Sequence, residues 1–133
     1  NYEKKKVSRN KIIEMEMKKT GMLFSFCCVA PAIIKNKKNL ELRFFENVGS
    51  DIGLLFQISD DLIDHEGNSK IAGKKTGKDQ KKGKATLISL LGYDNAVKYS
   101  EDLIINIDKK LKKYDSNSKK IKQTLEYILN RDR

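Results

Sequence analysis

The chain has 133 residues, about the length of one domain, and a formal net charge of +10 at pH 7. Hydrophobic residues make up 38% and charged residues 35% of it, and because the apolar residues recur in periodic runs, the composition excludes an intrinsically disordered chain. The only cysteines, Cys27 and Cys28, are adjacent and cannot form a disulfide framework, so we interpret them as small buried residues of a reduced, cytoplasmic protein. The longest uncharged stretch, residues 21–34, is too short for a helix that spans a membrane.

The positive charge is weak evidence for a nucleic-acid partner. Of the 28 basic residues 24 are Lys, which together with frequent Ile and Asn is typical of a base-composition bias. Sequence-specific DNA-binding proteins use Arg for bidentate base contacts, and the chain has four Arg. The basic segments also lack the interleaved aromatic residues on which single strands stack. We therefore predict no nucleic-acid partner and keep a salt-sensitive basic binder only as a third interpretation.

The N-terminal part of the chain predicts one helix. Ser8 is a suitable N-cap, and apolar residues follow it at helical spacing. They are Ile12, Ile13, Met15, Met17, Met22, Leu23, Phe24 and Phe26. Pro31 lacks an N–H and crowds the preceding turn, so we expect it to kink or end this helix. Residues 35–39 are polar and indicate a loop.

A second helix is predicted for about residues 40–63, where one face carries a helical stripe. The stripe consists of Phe45, Val48, Ile52, Leu55, Phe56, Ser59 and Leu62. Gly67 is the expected C-terminal stop. Residues 65–84 are rich in Gly and Lys and have no periodicity, so the sequence predicts a loop of about 20 residues. Loops of that length in compact domains are usually functional.

The C-terminal part predicts three more helices. A short helix over about residues 85–91 starts near Thr86 and is broken by Gly92. Asp94 is the expected cap of the next helix, and residues 115–118 are expected to form the turn before the last one. No segment alternates convincingly like a strand, so the predicted fold class is all-α.

Three carboxylates crowd one turn near the predicted end of the second helix: Asp60, Asp61 and Asp64. Asp60 and Asp64 are four residues apart and share a helix face, and Gln57 lies about one turn earlier on that side. Like charges at this spacing repel each other, and the macrodipole disfavours anions at a helix C-terminus. The arrangement makes sense when a cation is bound, and one or two carboxylates with substrate phosphates describe a Mg²⁺ site. A solvated acidic helix end is the alternative.

Basic residues follow the carboxylates. The predicted loop contains seven Lys, which are Lys70, Lys74, Lys75, Lys78, Lys81, Lys82 and Lys84. A flexible Lys loop beside a carboxylate cluster suits a Mg²⁺–polyphosphate ligand, because Lys acts as a compact charge toward phosphate. For most of these lysines a solvated loop is the simpler interpretation.

Three motifs resemble the trans-isoprenyl diphosphate synthases, in the order and with the spacing of that family. Residues 56–64, FQISDDLID, resemble its second aspartate-rich motif. Residues 73–86, GKKTGKDQKKGKAT, resemble the GK-x-x-G-x-D-x-x-x-GK-x-T segment that follows it in bacterial farnesyl and geranylgeranyl diphosphate synthases. Residues 19–21, KTG, precede an apolar helix and resemble the family's K-T-G element.

The resemblance covers essentially the whole chain, but the family's first aspartate-rich motif, which lies upstream of the K-T-G element, is missing. It therefore implies that residues 1–133 are the C-terminal portion of an isoprenoid-synthase-type helical bundle. They would belong to a single domain whose N-terminal part is absent. The full-length enzyme is expected to be a homodimer.

The resemblance also implies a chemistry. In the whole enzyme an allylic diphosphate ionises and isopentenyl diphosphate attacks the carbocation head to tail, while Mg²⁺ carries the charge of the leaving diphosphate. Thr20 and Gln57 are expected to turn oxygen dipoles toward the carbocation. The implied Mg²⁺ ligands are Asp60, Asp61 and Asp64, of which Asp60 binds directly and Asp64 directly or through water. The implied diphosphate-binding residues are Lys19, Lys74 and Lys84, and the implied catalytic residues are Lys19, Thr20 and Gln57.

Besides the basic binder, two interpretations of function stay open. The first is a prenyltransferase that makes farnesyl or geranylgeranyl diphosphate, of which this chain is a part that is inactive alone. The second is a non-catalytic diphosphate-binding or regulatory subunit of the same fold, which the missing first motif favours if these 133 residues are the natural product. An in-frame upstream extension with another DDxxD would support the first.

Overall fold

The structure, a computed structural model, describes residues 8–72 and 86–130. Every element in these two ranges is helical, which confirms the predicted all-α class. The α-helices are α1 (Arg9–Glu16), α2 (Met22–Ile34), α3 (Asn39–Ala72), α4 (Leu87–Leu91), α5 (Tyr93–Leu111) and α6 (Lys119–Asn130). A π-helical turn, Met17–Gly21, joins α1 to α2, and a 3-10 segment, Lys112–Ser118, joins α5 to α6.

The first helix begins where the sequence predicts it but does not end at Pro31. Ser8 caps α1, because its Oγ accepts a hydrogen bond from the backbone N–H of Lys11 at 3.4 Å. α2 contains Pro31 and continues to Ile34. The proline carbonyl accepts from the N–H of Lys35 at 3.1 Å, so the helical turn after Pro31 is intact. A proline removes only its own N–H, and the helix ends within about one turn.

α3 is longer than predicted. It spans 34 residues, so Gly67 does not stop it, and residues 65–72 are helical rather than part of a loop. A glycine inside a helix costs only about 1 kcal/mol relative to alanine. The phenol of Tyr93 donates to the Glu66 carboxylate and supports this part of the helix. The rest of the predicted Lys-rich loop, residues 73–85, lies outside the described residues.

The three carboxylates consequently lie inside α3 and not at its end. Ala72 is eight residues beyond Asp64, and the influence of the macrodipole falls off within the last turn of a helix. The expected helix-end position of the carboxylates is therefore wrong. The macrodipole therefore gives no reason for a cation at this position, whereas Asp60 and Asp64 still repel each other across one helical turn.

α3 is the central helix, and α2, α5 and α6 pack against it. Leu55, Ile58 and Leu62 of α3 are at most 1% exposed. The same apolar cluster includes Ile107 of α5 and Leu125 of α6, which are equally well buried. Within the described residues, no helix is both long enough and apolar enough to cross a membrane.

The connections in the C-terminal part follow the sequence with one correction. Thr86 caps α4, because its hydroxyl oxygen accepts a hydrogen bond from the N–H of Ser89 at 3.2 Å. Gly92, with a φ of 82°, separates α4 from α5. Gly92 and not Asp94 is the N-cap of α5, and Asp94 lies in its first turn. The turn expected at residues 115–118 belongs to the 3-10 segment.

The two cysteines lie in different environments. Cys27 is exposed, so the prediction that both are buried is wrong for it, and Cys28 is partly buried. Adjacent residues of an α-helix point about 100° apart. Because α2 lies on the surface of the described structure, only one of two neighbouring side chains faces inward.

Candidate functional site

A polar pair joins the π-helical turn to α3. The hydroxyl of Thr20 donates to Oε1 of Gln57, with the two oxygens 3.0 Å apart. Gln57 is only 3% exposed and Thr20 is partly buried. Because an unpaired polar group at a buried position costs about 1–3 kcal/mol, the hydrogen bond fixes both side chains. The structure thus brings together two residues that the sequence predicts to be catalytic.

The local sequence explains how Thr20 reaches α3. The π-helical turn, Met17–Gly21, contains the whole KTG segment. A π turn is wider than an α-helical turn and accommodates an extra residue, and such turns are frequent at functional sites. Just after this turn, Phe24 packs on Phe56 with ring centroids 5.3 Å apart. The polar pair is therefore flanked by an apolar aromatic contact.

Two carboxylates share the face of α3 that carries Gln57. Asp60 and Asp64 follow Gln57 by three and seven residues, which is the spacing of one helix face. Asp60 is partly buried and Asp64 is exposed. Asp61 is also partly buried, and it is rotated from Asp60 by about 100° around the helix. Among the described residues, no group of three or more His, Cys, Asp or Glu is arranged to hold a metal ion.

The pair of aspartates is nevertheless a donor set that fits Mg²⁺. This ion takes oxygen ligands, keeps several waters, and usually binds through one or two carboxylates together with substrate phosphates. Asp60 and Asp64 would supply the carboxylates, which leaves the other positions to phosphate and water. Asp61 lies to the side of this pair.

The three predicted diphosphate-binding lysines are placed only in part. Lys19 lies in the π-helical turn, directly before Thr20. Since Thr20 contacts α3, the backbone of Lys19 lies within one residue of the polar pair. Lys74 and Lys84 fall outside the described residues.

Comparison with known proteins establishes the family. A family model for polyprenyl synthetase matches residues 1–128. The chain belongs to the polyprenyl synthetase family. It is 30% identical to the farnesyl diphosphate synthase of Micrococcus luteus over 98% of this chain and 45% of that protein.

Two further relatives support the same family. The farnesyl diphosphate synthase of Bacillus subtilis is 33% identical over 82% of this chain and 36% of its own length. The geranylgeranyl diphosphate synthase of Cyanophora paradoxa is 30% identical over 86% of this chain and 38% of its own length. The chain therefore spans less than half the length of these curated polyprenyl synthetases.

Tyr93, which no sequence pattern singled out, contacts α3 just after the three aspartates. The ring of Tyr93 stacks on that of His65 with centroids 5.5 Å apart, and its phenol donates to Glu66. Tyr93 belongs to α5, so no local pattern could have shown this contact. Gly53, one turn before Gln57, was also missed, although its spacing of four residues from Gln57 was visible in the sequence.

Proposed function

We propose that this chain forms the part of a prenyltransferase that binds the allylic diphosphate. The whole enzyme condenses this substrate head to tail with isopentenyl diphosphate and makes farnesyl or geranylgeranyl diphosphate. One observation carries the proposal: a member of the polyprenyl synthetase family has the Thr20–Gln57 hydrogen bond on the face of α3 that also carries Asp60 and Asp64. We further propose that the whole enzyme is cytoplasmic and homodimeric.

The polar pair suits a developing carbocation. Because the Thr20 hydroxyl gives its proton to the hydrogen bond with Gln57, lone pairs remain on the Thr20 oxygen, and Gln57 Oε1 keeps a second lone pair. Oxygen dipoles that are fixed beside the allylic carbon stabilise positive charge as the diphosphate leaves, without reorganisation. The burial of Gln57 also keeps water away from the cation.

The acidic face holds the diphosphate end of the substrate. Asp60 would hold Mg²⁺ directly, Asp64 directly or through water, and Asp61 would contribute at the side. When bound there, Mg²⁺ supplies the positive charge that neutralises the leaving diphosphate. These aspartates suit Mg²⁺ because the ion usually takes one or two carboxylates from a protein and its other ligands from phosphate and water.

Lysines complete the diphosphate site. Lys19, Lys74 and Lys84 donate to the diphosphate oxygens as compact charges. The released diphosphate then takes a proton from the carbocation that the condensation leaves, and this loss forms the double bond of the product. No side chain of this chain has to act as the general base.

A chimaeric enzyme tests the proposal. The stretch of the Micrococcus luteus farnesyl diphosphate synthase that matches this chain is replaced by it, and elongation is measured with labelled isopentenyl diphosphate. We expect elongation that requires Mg²⁺. Asp60→Ala should lower kcat about 100-fold or more, since charge stabilisation by a bound metal is worth several kcal/mol. Gln57→Leu should lower kcat by about 10- to 100-fold, because it removes one preorganised dipole.

The matched control is Asp102→Ala in the same chimaera. Asp102 is an exposed carboxylate of α5, so its removal should leave kcat unchanged. A folded chimaera that gives no product, or one in which Asp60→Ala stays within a few-fold of the parent, would contradict the proposal.

A non-catalytic diphosphate-binding subunit is the second candidate. Such a subunit would need only the single aspartate-rich motif that these 133 residues contain. The chain by itself, given geranyl diphosphate, isopentenyl diphosphate and Mg²⁺, is expected to give no product. Binding of a non-hydrolysable allylic diphosphate to the chain, combined with an inactive chimaera, would favour the second candidate over the first.

A further inference from the structure

We propose that Gly53 is a positioning residue for the Thr20–Gln57 hydrogen bond. It lets the backbone of the π-helical turn approach α3 closely enough for the two side chains to meet. The role of Gly53 in catalysis rests on the proposed function of this polar pair. Its role in the geometry does not depend on that function and can be measured separately.

The contact at Gly53 is between two backbones. A Cβ atom built on Gly53 would lie 2.5 Å from the Cα of Gly21 and 3.2 Å from its nitrogen. Contacts of a Cβ below 3.0 Å are essentially absent from proteins, and ordinary contacts lie at 3.4–4 Å. Since the opposing atoms are main-chain atoms, they cannot turn aside as a flexible side chain does. A side chain at position 53 therefore requires the π-helical turn and α3 to move apart, by about 0.5 Å to reach 3.0 Å and about 0.9 Å to reach an ordinary contact at 3.4 Å.

The backbone contact and the hydrogen bond are neighbours on both elements. Gly21 directly follows Thr20 in the π-helical turn, and Gly53 lies one turn before Gln57 on the same face of α3. The Thr20 and Gln57 oxygens are 3.0 Å apart, which is already at the long end of the O–H···O range. A displacement of about 1 Å would take the pair out of hydrogen-bonding distance.

Two other glycines of α3 provide matched controls. Gly49 is equally crowded, since its Cβ would lie 2.5 Å from the Phe24 carbonyl oxygen, but it faces α2 and not the π-helical turn. Gly67 has nothing within 4 Å of the position of a Cβ. Gly49→Ala measures the effect of general disturbance between α2 and α3, and Gly67→Ala measures the effect of replacing a helical glycine in open space.

The experiment observes the side-chain amide of Gln57 by NMR in the chain labelled with ¹⁵N-glutamine. Gln57 is one of three glutamines, and Gln57→Leu assigns its signal. Thr20→Val defines the signal without the hydrogen bond. We expect Gly53→Ala to move the Gln57 amide shifts to those of Thr20→Val and to speed their solvent exchange. Gly67→Ala should leave the signal unchanged, and Gly49→Ala should move it much less than Gly53→Ala does.

Gly53→Ala is made in the Gly67→Ala background as well, because alanine at an open helical position should raise stability. Wild-type Gln57 shifts in folded Gly53→Ala would overturn the proposal. So would equal shifts in Gly49→Ala, or a Gly53→Ala variant that stays unfolded even in the stabilised background, since the contact would then serve folding as a whole. The measurement uses no substrate, so an inactive chimaera together with the expected shifts would contradict the proposed function alone.

Discussion

The helices that pack on the two sides of α3 make different kinds of contact with it. On one side lie α1, the π-helical turn and α2, which bring Thr20 and a close backbone contact to α3. On the other side lie α5 and α6, which bury apolar residues such as Ile107 and Leu125. The first side contributes a buried polar contact to α3, and the second contributes apolar contacts.

The outer surfaces of the two sides differ as strongly. Seven of the ten large apolar side chains that are exposed in the described residues lie between positions 15 and 40. They are Met15, Met22, Leu23, Phe26, Ile33, Ile34 and Leu40. In α5 and α6 only Ile105 and Tyr127 are exposed in this way, among many exposed charged residues.

This difference indicates which outer surface of the described structure is suited to water and which is suited to contact with other polypeptide. A charged outer face over an apolar inner face is typical of a helix that borders water, as in α5 and α6. A contiguous apolar outer face, as on α2, is typical of a surface that other polypeptide covers. α3 packs its apolar residues against α5 and α6, and it meets Thr20 on the side of the π-helical turn.

The largest expected effect compares one substitution on two surfaces. Leu55→Ala removes a side chain of α3 that is 0% exposed, and Leu23→Ala removes one on the outer face of α2 that is 65% exposed. Leu55→Ala should lower the free energy of unfolding by about 2–5 kcal/mol, because it leaves a cavity. Leu23→Ala should change it by about 0.5 kcal/mol or less. Urea unfolding followed by circular dichroism measures both.

The same pair of variants tests whether the outer face of α2 is exposed to solvent in the isolated chain. If Leu23→Ala costs as much as Leu55→Ala, then Leu23 is buried in solution and the contrast between the two sides is wrong. Leu23→Ala should in addition reduce self-association of the chain, which sedimentation velocity would show as a smaller fraction of large species.

A smaller effect concerns the hydrogen bond that ties α3 to α6. The Ser59 hydroxyl donates to the Ile128 carbonyl at 2.6 Å, and Ser59 is 0% exposed. Ile128 lies in the last described turn of α6, and Ser59 supplies its carbonyl with a donor from another helix. Ser59→Ala should therefore lower the unfolding free energy by about 1–3 kcal/mol.

Ser100→Ala is the control for this prediction. Ser100 is also 0% exposed, but its hydroxyl donates to Val97 within its own helix, whose carbonyl has a backbone partner as well. Its replacement should cost less than Ser59→Ala in the same unfolding experiment. Equal costs would mean that the link between α3 and α6 adds nothing beyond burial of a hydroxyl.

The sequence predicts those parts of the fold that depend on local chemistry. The Ser8 cap, the Gly92 break and the stripe of Leu55 and Leu62 follow from capping, glycine geometry and helical spacing. The predicted end of α3 was wrong. A glycine such as Gly67 costs a helix only a modest free energy, and the contact of Tyr93, from a later helix, with this stretch of α3 outweighs it. Contacts between distant elements are not visible in a local pattern.

The candidate site divides in the same way. Asp60 and Asp64 were placed on one face by spacing alone, and the structure keeps them there. Thr20 and Gln57 are 37 residues apart, and only the family resemblance linked them before the structure showed their hydrogen bond. The close approach at Gly53 requires the three-dimensional packing of two backbones. The roles of these residues toward Mg²⁺ and substrate stay predictions.

A modest effect is expected from the ion pair between α3 and α5. Lys110 Nζ lies 2.5 Å from Asp51 Oδ2, and both side chains are partly accessible, at 41% and 26%. A double-mutant cycle with Lys110→Met and Asp51→Asn should give a coupling free energy of about 0.2–1 kcal/mol, because water screens such pairs. The coupling should fall at about 1 M salt.

The matched control is Glu14 with Lys18, an exposed pair within the N-terminal region whose atoms are 2.7 Å apart. It should give about 0.3–0.5 kcal/mol in the same kind of cycle. A coupling between α3 and α5 well above that of the control, and insensitive to salt, would show that the side of α5 and α6 uses a desolvated charge pair and not only apolar burial.

The smallest expected effect is a change in the pH dependence of the unfolding free energy, and it compares the cysteines on the inner and outer faces of α2. Burial, together with the neighbouring Cys27, raises the pKa of the Cys28 thiol above its ordinary value of 9.0. The unfolded chain therefore loses this proton first as the pH rises, and stability that is present below the ordinary pKa is lost as the pH rises through the folded pKa. Between about pH 8 and about pH 10 the unfolding free energy should fall less in Cys28→Ser than in the wild type.

Cys27→Ser serves as the control, because Cys27 is exposed on the outer face of α2. Its variant keeps the burial of Cys28, which is the larger cause of the raised pKa, and should therefore retain most of the wild-type dependence of the unfolding free energy on pH. Alkylation with iodoacetamide gives an independent readout, since the thiolate is the reactive form. Cys27, exposed and outside the contact with α3, should react faster than Cys28, whose Cβ lies 2.9 Å from the position of a Cβ on Gly49. Equal rates in the folded chain would mean that the inner face of α2 opens to solvent as readily as the outer one, and the contrast between the two sides of α3 would then not hold in solution.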